Sequence, residues 1–161
     1  FGTVDAAAAV AAAPGWTSVG GSAQQKSCVS AARNPNLAIP DNSDAAAVSD
    51  TITISGCDIQ AIEFIEVSFT ADHSYSGDLQ VDLISPNGLQ SRLANARLCV
   101  EDPFAQQPTL VDCGRYDAWR FGSVRHLNEP ASGTWTLRVA DLQIGDDDGV
   151  FRSWQMRIWG R

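Results

Sequence analysis

From about residue 20 onward the chain reads in twos. Thr51-Ile52-Thr53-Ile54-Ser55 places an apolar side chain at every second position, and Leu79, Val81 and Leu83 share one face while Gln80 and Asp82 take the other. Trp135, Leu137 and Val139 repeat the pattern, and Trp154, Met156 and Ile158 close it, with Trp159 out of phase. Such alternation marks a strand with one buried face, because successive side chains leave a pleated strand on opposite sides. Within Ala61 to Thr70 the phase slips, from Ile62 and Phe64 to Ile65, Val67 and Phe69. One extra residue does this, so a β-bulge is expected there. Turn residues separate the runs: in Ser85-Pro86-Asn87-Gly88 proline presets φ and Asn-Gly tolerates positive φ. No helix-period segment follows residue 20, so the pattern predicts an all-β domain of short strands, a sandwich or barrel.

The first twenty residues differ. Residues 1 to 13 read as a helix, with Asp5 at its head, alanine through Ala6 to Ala13 and Pro14-Gly15 as its stop. This is not a signal-peptide core, since a basic leading region is missing and Asp5 sits where one would be. Pro14 to Ala23, with Gly15, Gly20, Gly21 and Ser22, reads as a linker between two structural units.

Composition narrows the partners. At 161 residues, 44% hydrophobic and 19% charged, the chain has room for one domain plus an appendage. The net charge of −8, with only Lys26 among the lysines and the arginines scattered, argues against nucleic acid or an anionic membrane as partner. No apolar run approaches the roughly twenty residues a membrane span requires. Cys28, Cys57, Cys99 and Cys113 include no Cys-x-x-Cys pair, which excludes a zinc ribbon or thioredoxin-like site. Of three possible pairings, Cys28–Cys57 with Cys99–Cys113 closes the shortest loops and is the expected one, implying an oxidising compartment. Four buried free thiols are the alternative.

Further motifs are specific enough for a family resemblance. His73-Ser74-Tyr75-Ser76-Gly77-Asp78-Leu79-Gln80-Val81-Asp82-Leu83-Ile84-Ser85-Pro86-Asn87-Gly88 resembles the signature of the P domain (Homo B domain) of kexin- and furin-like proprotein convertases, a module also carried by secreted bacterial proteases. Trp119-x-Phe121-x-Ser123-Val124, Gly133-x-Trp135-x-Leu137-x-Val139-x-Asp141 and Gly149 to Gly160 resemble its second half in order and spacing, and Ala38-Ile39-Pro40-Asp41 with Thr51-Ile52-Thr53-Ile54 its entry segment. Phe1-Gly2-Thr3-Val4-Asp5-Ala6-Ala7-Ala8-Ala9-Val10 is similar to the last helix of a subtilisin-like catalytic domain. The resemblance implies a jelly-roll β-sandwich of about eight antiparallel strands over residues 21–161, preceded by a short N-terminal α-helix left from the catalytic domain over 1–20. It implies a non-catalytic accessory domain of a secreted, extracellular subtilisin-like protease, one that packs on the catalytic domain, stabilises its fold and regulates its pH and calcium response. The partners would be that protein's own catalytic domain and its protein substrate. An anchor for collagen or polysaccharide is the alternative function. A P domain serving a secreted metalloprotease is another, which the Val-Asp-Ala helix argues against.

The candidate chemistry is sparse. A serine protease needs a nucleophile, a base and an orienting carboxylate. Only His73 and His126 offer an imidazole, and no Gly-Thr-Ser-x-Ala elbow is present. Both histidines read as surface or strand-end residues, and no catalytic residue is assigned. Calcium takes six to eight oxygens from carboxylates and carbonyls, and acidic loops supply them. Asp141 with the turn Asp146-Asp147-Asp148, together with Asp41 and Asp78 in loops the family places at sheet ends, makes Asp41, Asp78, Asp141, Asp146 and Asp148 the candidate calcium ligands. The competing reading is that these aspartates cap turns. Trp135 and Trp154 lie on inward phases and are expected in the core. Trp119 and Trp159 remain candidates for a contact surface. Ser76-Gly77-Asp78 stands where convertases often carry Arg-Gly-Asp, which removes an integrin-type argument.

Overall fold

Among the described residues nine strands follow one another: β1 (Lys26–Val29), β2 (Leu37–Ile39), β3 (Val48–Ile54), β4 (Ile62–Asp72), β5 (Leu79–Ile84), β6 (Gln90–Ala94), β7 (Tyr116–Ser123), β8 (Gly133–Asp141) and β9 (Gly149–Gly160). The computed structural model describes residues 4–16, 21–102, 104–107, 109–111, 113–145 and 149–161. The strands form two antiparallel sheets. One runs β1-β9-β4-β7 with β2 also on β9; the other runs β3-β8-β5-β6. β1 and β2 lie end to end along one edge of β9, and an Arg33–Trp154 bridge sits between them. Counted as one interrupted strand, they bring the number to the expected eight. The jelly-roll sandwich expected from the sequence is the fold observed.

The inward phases meet between the sheets. Leu79, Val81, Leu83, Trp135, Leu137 and Val139 from one sheet pack against Ile65, Val67, Phe69, Phe151, Met156 and Ile158 from the other, all without solvent exposure. Trp135 donates its indole N–H to the Ala131 carbonyl at 2.9 Å, so its polar atom is satisfied in the interior. The phase slip in β4 is present as a register shift against β9 between Ile62 and Phe64. Its consequence differs from the simple reading: Phe64 leaves the face of Ile62 and stacks outside the sheet on Trp159, centroids 5.5 Å apart. A second shift, between Thr70 and Ala71, has no counterpart in the pattern.

Gln80 and Asp82 keep the outward phase yet are buried. Asp82 pairs across the strands with Arg92 of β6 and Arg138 of β8, whose side chains form ion pairs with its carboxylate. Gln80 donates to the second oxygen of Asp82 at 3.0 Å. Long arginine stems from both neighbouring strands thus cover an outward face that alternation alone leaves in water.

Both disulfides have the expected local pairing. Cys28–Cys57 ties β1 to the segment after β3, Cα atoms 6.1 Å apart, and Cys99–Cys113 closes the connection between β6 and β7 at 5.7 Å. The second crosslink spans a sequence separation of 14, a loop for which chain entropy gives about 3 kcal/mol. Gly77 lies against it. A Cβ there would meet both sulfurs and the Arg97 carbonyl oxygen at 2.5 Å, so the Ser-Gly-Asp turn closes only with glycine in the middle.

The N-terminal segment forms α1 (Ala6–Ala12). Asp5 caps it, its carboxylate accepting from the Ala8 N–H at 2.9 Å, as the sequence suggests. None of its residues is buried.

Candidate functional site

The alternation that builds the core continues past the strand ends into polar residues. On β4 the inward series Ile65, Val67, Phe69 and Ala71 runs on to His73; on β8 Trp135, Leu137 and Val139 run on to Asp141. The two side chains meet between the sheets, His73 Nε2 to Asp141 Oδ2 at 3.0 Å, with side-chain exposures of 0% and 1%. His73 Nδ1 accepts from the Tyr75 N–H at 3.1 Å, which places the ring proton on Nε2, donated to Asp141. The other Asp141 oxygen accepts from the Gln143 N–H at 3.0 Å. His73 ends a strand as expected, but it is interior rather than a surface group. The local sequence does not join it to Asp141, although the parity of both strands points inward.

The candidate calcium aspartates gather around the segment that leaves β8. Asp41 Oδ1 accepts from the Gly145 N–H at 3.2 Å, the Asp78 carbonyl accepts from the Leu142 N–H at 3.1 Å, and the Asp141 carbonyl from the Ser43 N–H at 2.9 Å. Three distant stretches of chain therefore meet at one end of the sandwich. Among the described residues no three His, Cys, Asp or Glu side chains are grouped to hold a metal ion. Asp141 accepts one hydrogen bond on each oxygen, from His73 and from the Gln143 N–H. Asp146 and Asp148 lie outside the described residues.

His126 is interior too, with 0% exposure, against the sequence reading of a surface or strand-end group. Its Nδ1 faces Glu129 Oε2 at 3.1 Å and its ring stands edge-on to Trp135, centroids 5.0 Å apart at 87°. Burial holds the imidazole below its ordinary value; Glu129 opposes that shift and the Arg125 charge adds to it. With the folded-state pKa depressed, the associated stability is fully present above the unfolded value of about 6.5 and is lost as pH falls through the folded one. His126→Phe is expected to flatten this acid dependence while keeping a ring against Trp135. Urea midpoints at pH 7.5 and 5 test it: an equally steep decline in the variant would assign the pH dependence elsewhere.

The two candidate contact tryptophans do not share a surface. Trp159 pairs with Phe64 on the outer face of its sheet and lies half-buried under the Arg157 guanidinium, 5.6 Å from the ring centroid. Trp119 pairs in register with Phe69, which places it on the inner face of β7, at the lateral mouth of the sandwich, 56% exposed.

Comparisons place this architecture. The model of the "Proprotein convertase P-domain" matches residues 62–158. The human "Proprotein convertase subtilisin/kexin type 6" is 31% identical over 170 residues, covering 99% of this chain and 16% of that protein. "Leupeptin-inactivating enzyme 1" of Streptomyces exfoliatus is 36% identical over 118 residues, 73% of this chain and 23% of that one. The chain thus spans less than a quarter of the length of these curated relatives. The crystal structure of a serine protease of Aeromonas sobria shares the fold, with a TM-score of 0.69 at 22% identity, over 95% of this chain and 29% of that one. A sandwich with these strands and this signature, matched by the family model over most of its length, belongs to the proprotein convertase P-domain family.

Proposed function

We propose that this chain is the non-catalytic P domain of a secreted subtilisin-like serine protease, packing on the catalytic domain and stabilising it. The observation that carries this reading is the fate of its histidines. The sequence holds two, His73 and His126, with exposures of 4% and 0%. A triad base must be reachable by substrate, and these rings instead serve the interior. The exposed α1 supports a neighbouring unit. A seven-residue alanine helix is marginal alone and draws its stability from packing, yet Val4 is 93%, Val10 74% and Trp16 73% exposed. Residues 1–20 then belong with the catalytic domain and 21–161 form the accessory sandwich. Two disulfides support a secretory setting.

Melting the parent protease with and without residues 21–161 tests this. Removal is expected to lower the midpoint of the catalytic domain by several degrees, while the isolated 161-residue chain takes up no active-serine probe. An unchanged midpoint, with retention of the chain on insoluble collagen or polysaccharide, would favour the anchoring role instead. The same melts in millimolar calcium and in chelator examine the aspartates: a calcium-dependent rise in midpoint would support the metal reading, and equal midpoints the turn-capping one.

A further inference from the structure

Among the described residues each sheet ends in a strand with one unpaired edge on the same side of the molecule: β6 pairs with β5 alone and β7 with β4 alone. The two edges touch where Ser91 Oγ and Ser123 Oγ lie 2.8 Å apart, and elsewhere they diverge to leave a cleft of about 520 Å³. Its lining is mixed: Ser76 and Asn95 contribute polar groups, Leu93 lies on one side, and Tyr116, Trp119 and Phe121 lie on the other. The three rings form one cluster, Tyr116 standing 6.2 Å from Trp119 and 5.5 Å from Phe121. At the rim are Arg97 and Arg115, both exposed. Neither guanidinium makes a hydrogen bond or ion pair within the described residues, although the chain carries a net charge of −8.

Those features select a ligand. Paired guanidiniums at a cleft mouth favour carboxylates, which they bind with two parallel N–H donors. The exposed Trp119 indole, backed by buried Tyr116 and partly buried Phe121, favours an apolar side chain. Open strand edges offer main-chain donors and acceptors in the spacing of an extended peptide, which a sugar chain does not match. We propose that the β6–β7 cleft docks an extended, acidic segment of a protein partner, its carboxylates on Arg97 and Arg115 and an apolar side chain on Trp119. This goes beyond the stabilising role above: it stands on the isolated chain and is unaffected if that role fails.

The test is a binding titration of the 161-residue chain with fluorescein-labelled Glu-Val-Phe-Val-Glu-Val, followed by anisotropy at low salt. Its counterpart Lys-Val-Phe-Val-Lys-Val and an oligoglucuronate serve as comparisons. The acidic peptide is expected to bind and the lysine peptide not to. Arg97→Glu with Arg115→Glu is expected to weaken the acidic peptide by about tenfold or more and to admit the lysine peptide, and Trp119→Ala to weaken it by about tenfold. Melting curves check that the variants fold, and the comparison of the two peptides on the unaltered chain requires no variant at all. Equal binding of both peptides, no binding of either, binding of the oligoglucuronate alone, or indifference to the arginine reversal would each overturn the proposal.

Discussion

Asp141→Ala is expected to destabilise the domain by about 2–4 kcal/mol, measured as a fall in the urea midpoint at neutral pH. The substitution removes the acceptor for two donors at once, the His73 Nε2–H and the Gln143 N–H, and His73 lies where water does not reach it. The two donors belong to different layers of structure: His73 follows β4 in one sheet, and Gln143 follows β8 in the other. Losing the carboxylate therefore unfastens one end of the sandwich and takes a hydrogen bond from each of the two donors. Asp141→Asn retains one carbonyl oxygen and one of the two bonds, so its loss is expected to be about half as large. A destabilisation below about 1 kcal/mol for Asp141→Ala would show that this end relaxes enough for water to enter.

Trp154→Ala is expected to cost about 3–5 kcal/mol. The indole is 1% exposed, and its N–H donates to Asp50 Oδ2 at 2.8 Å. Asp50 belongs to β3 in the opposite sheet and also takes a two-pronged contact from Arg33, at 2.9 and 3.1 Å. Hydrogen bonding from Arg33, joined by that of Trp154 and the Thr51 amide, holds the Asp50 carboxyl below the usual carboxylate range. One carboxylate thus joins both sheets and the bridge between β1 and β2. Trp154→Phe keeps a ring and loses only the bond, and is expected to cost about 1–2 kcal/mol. A double-mutant cycle with Asp50→Ala, which leaves no side-chain acceptor, separates ring from bond: additive losses would mean that the indole N–H contributes nothing through Asp50.

Much of this architecture is legible in the period of two. The inner faces at Leu79 to Leu83, Trp135 to Val139 and Trp154 to Ile158 are readable, because a buried strand face admits little but apolar side chains. Parity also contains the His73–Asp141 contact, since both residues extend an inward series. It stays hidden because a polar residue at an inward position reads locally as the end of a strand. The Asp82 cluster is hidden for a different reason. Its outward phase is plain, and only pairing in space shows that Arg92 and Arg138 flank it on both sides. The cleft beneath Trp119 lies further out of reach. It depends on which strands end each sheet, a property of topology rather than of any one segment.

The placement of β1 against the end of β9 has a mechanical side. Lys26 lies beside Gly160 and Val29 beside Arg157, so a pull on the backbone entering at Lys26 and leaving at Gly160 would load an antiparallel pair from its open end. In that geometry hydrogen bonds break in succession, like the teeth of a zipper, rather than sharing the force. Cys28 is only the third residue of β1 and is bonded to Cys57. Peeling would reach it almost at once and stop, passing the tension to the segment after β3. Tension applied at this end would then not strip the outermost strand, for as long as that crosslink stays oxidised.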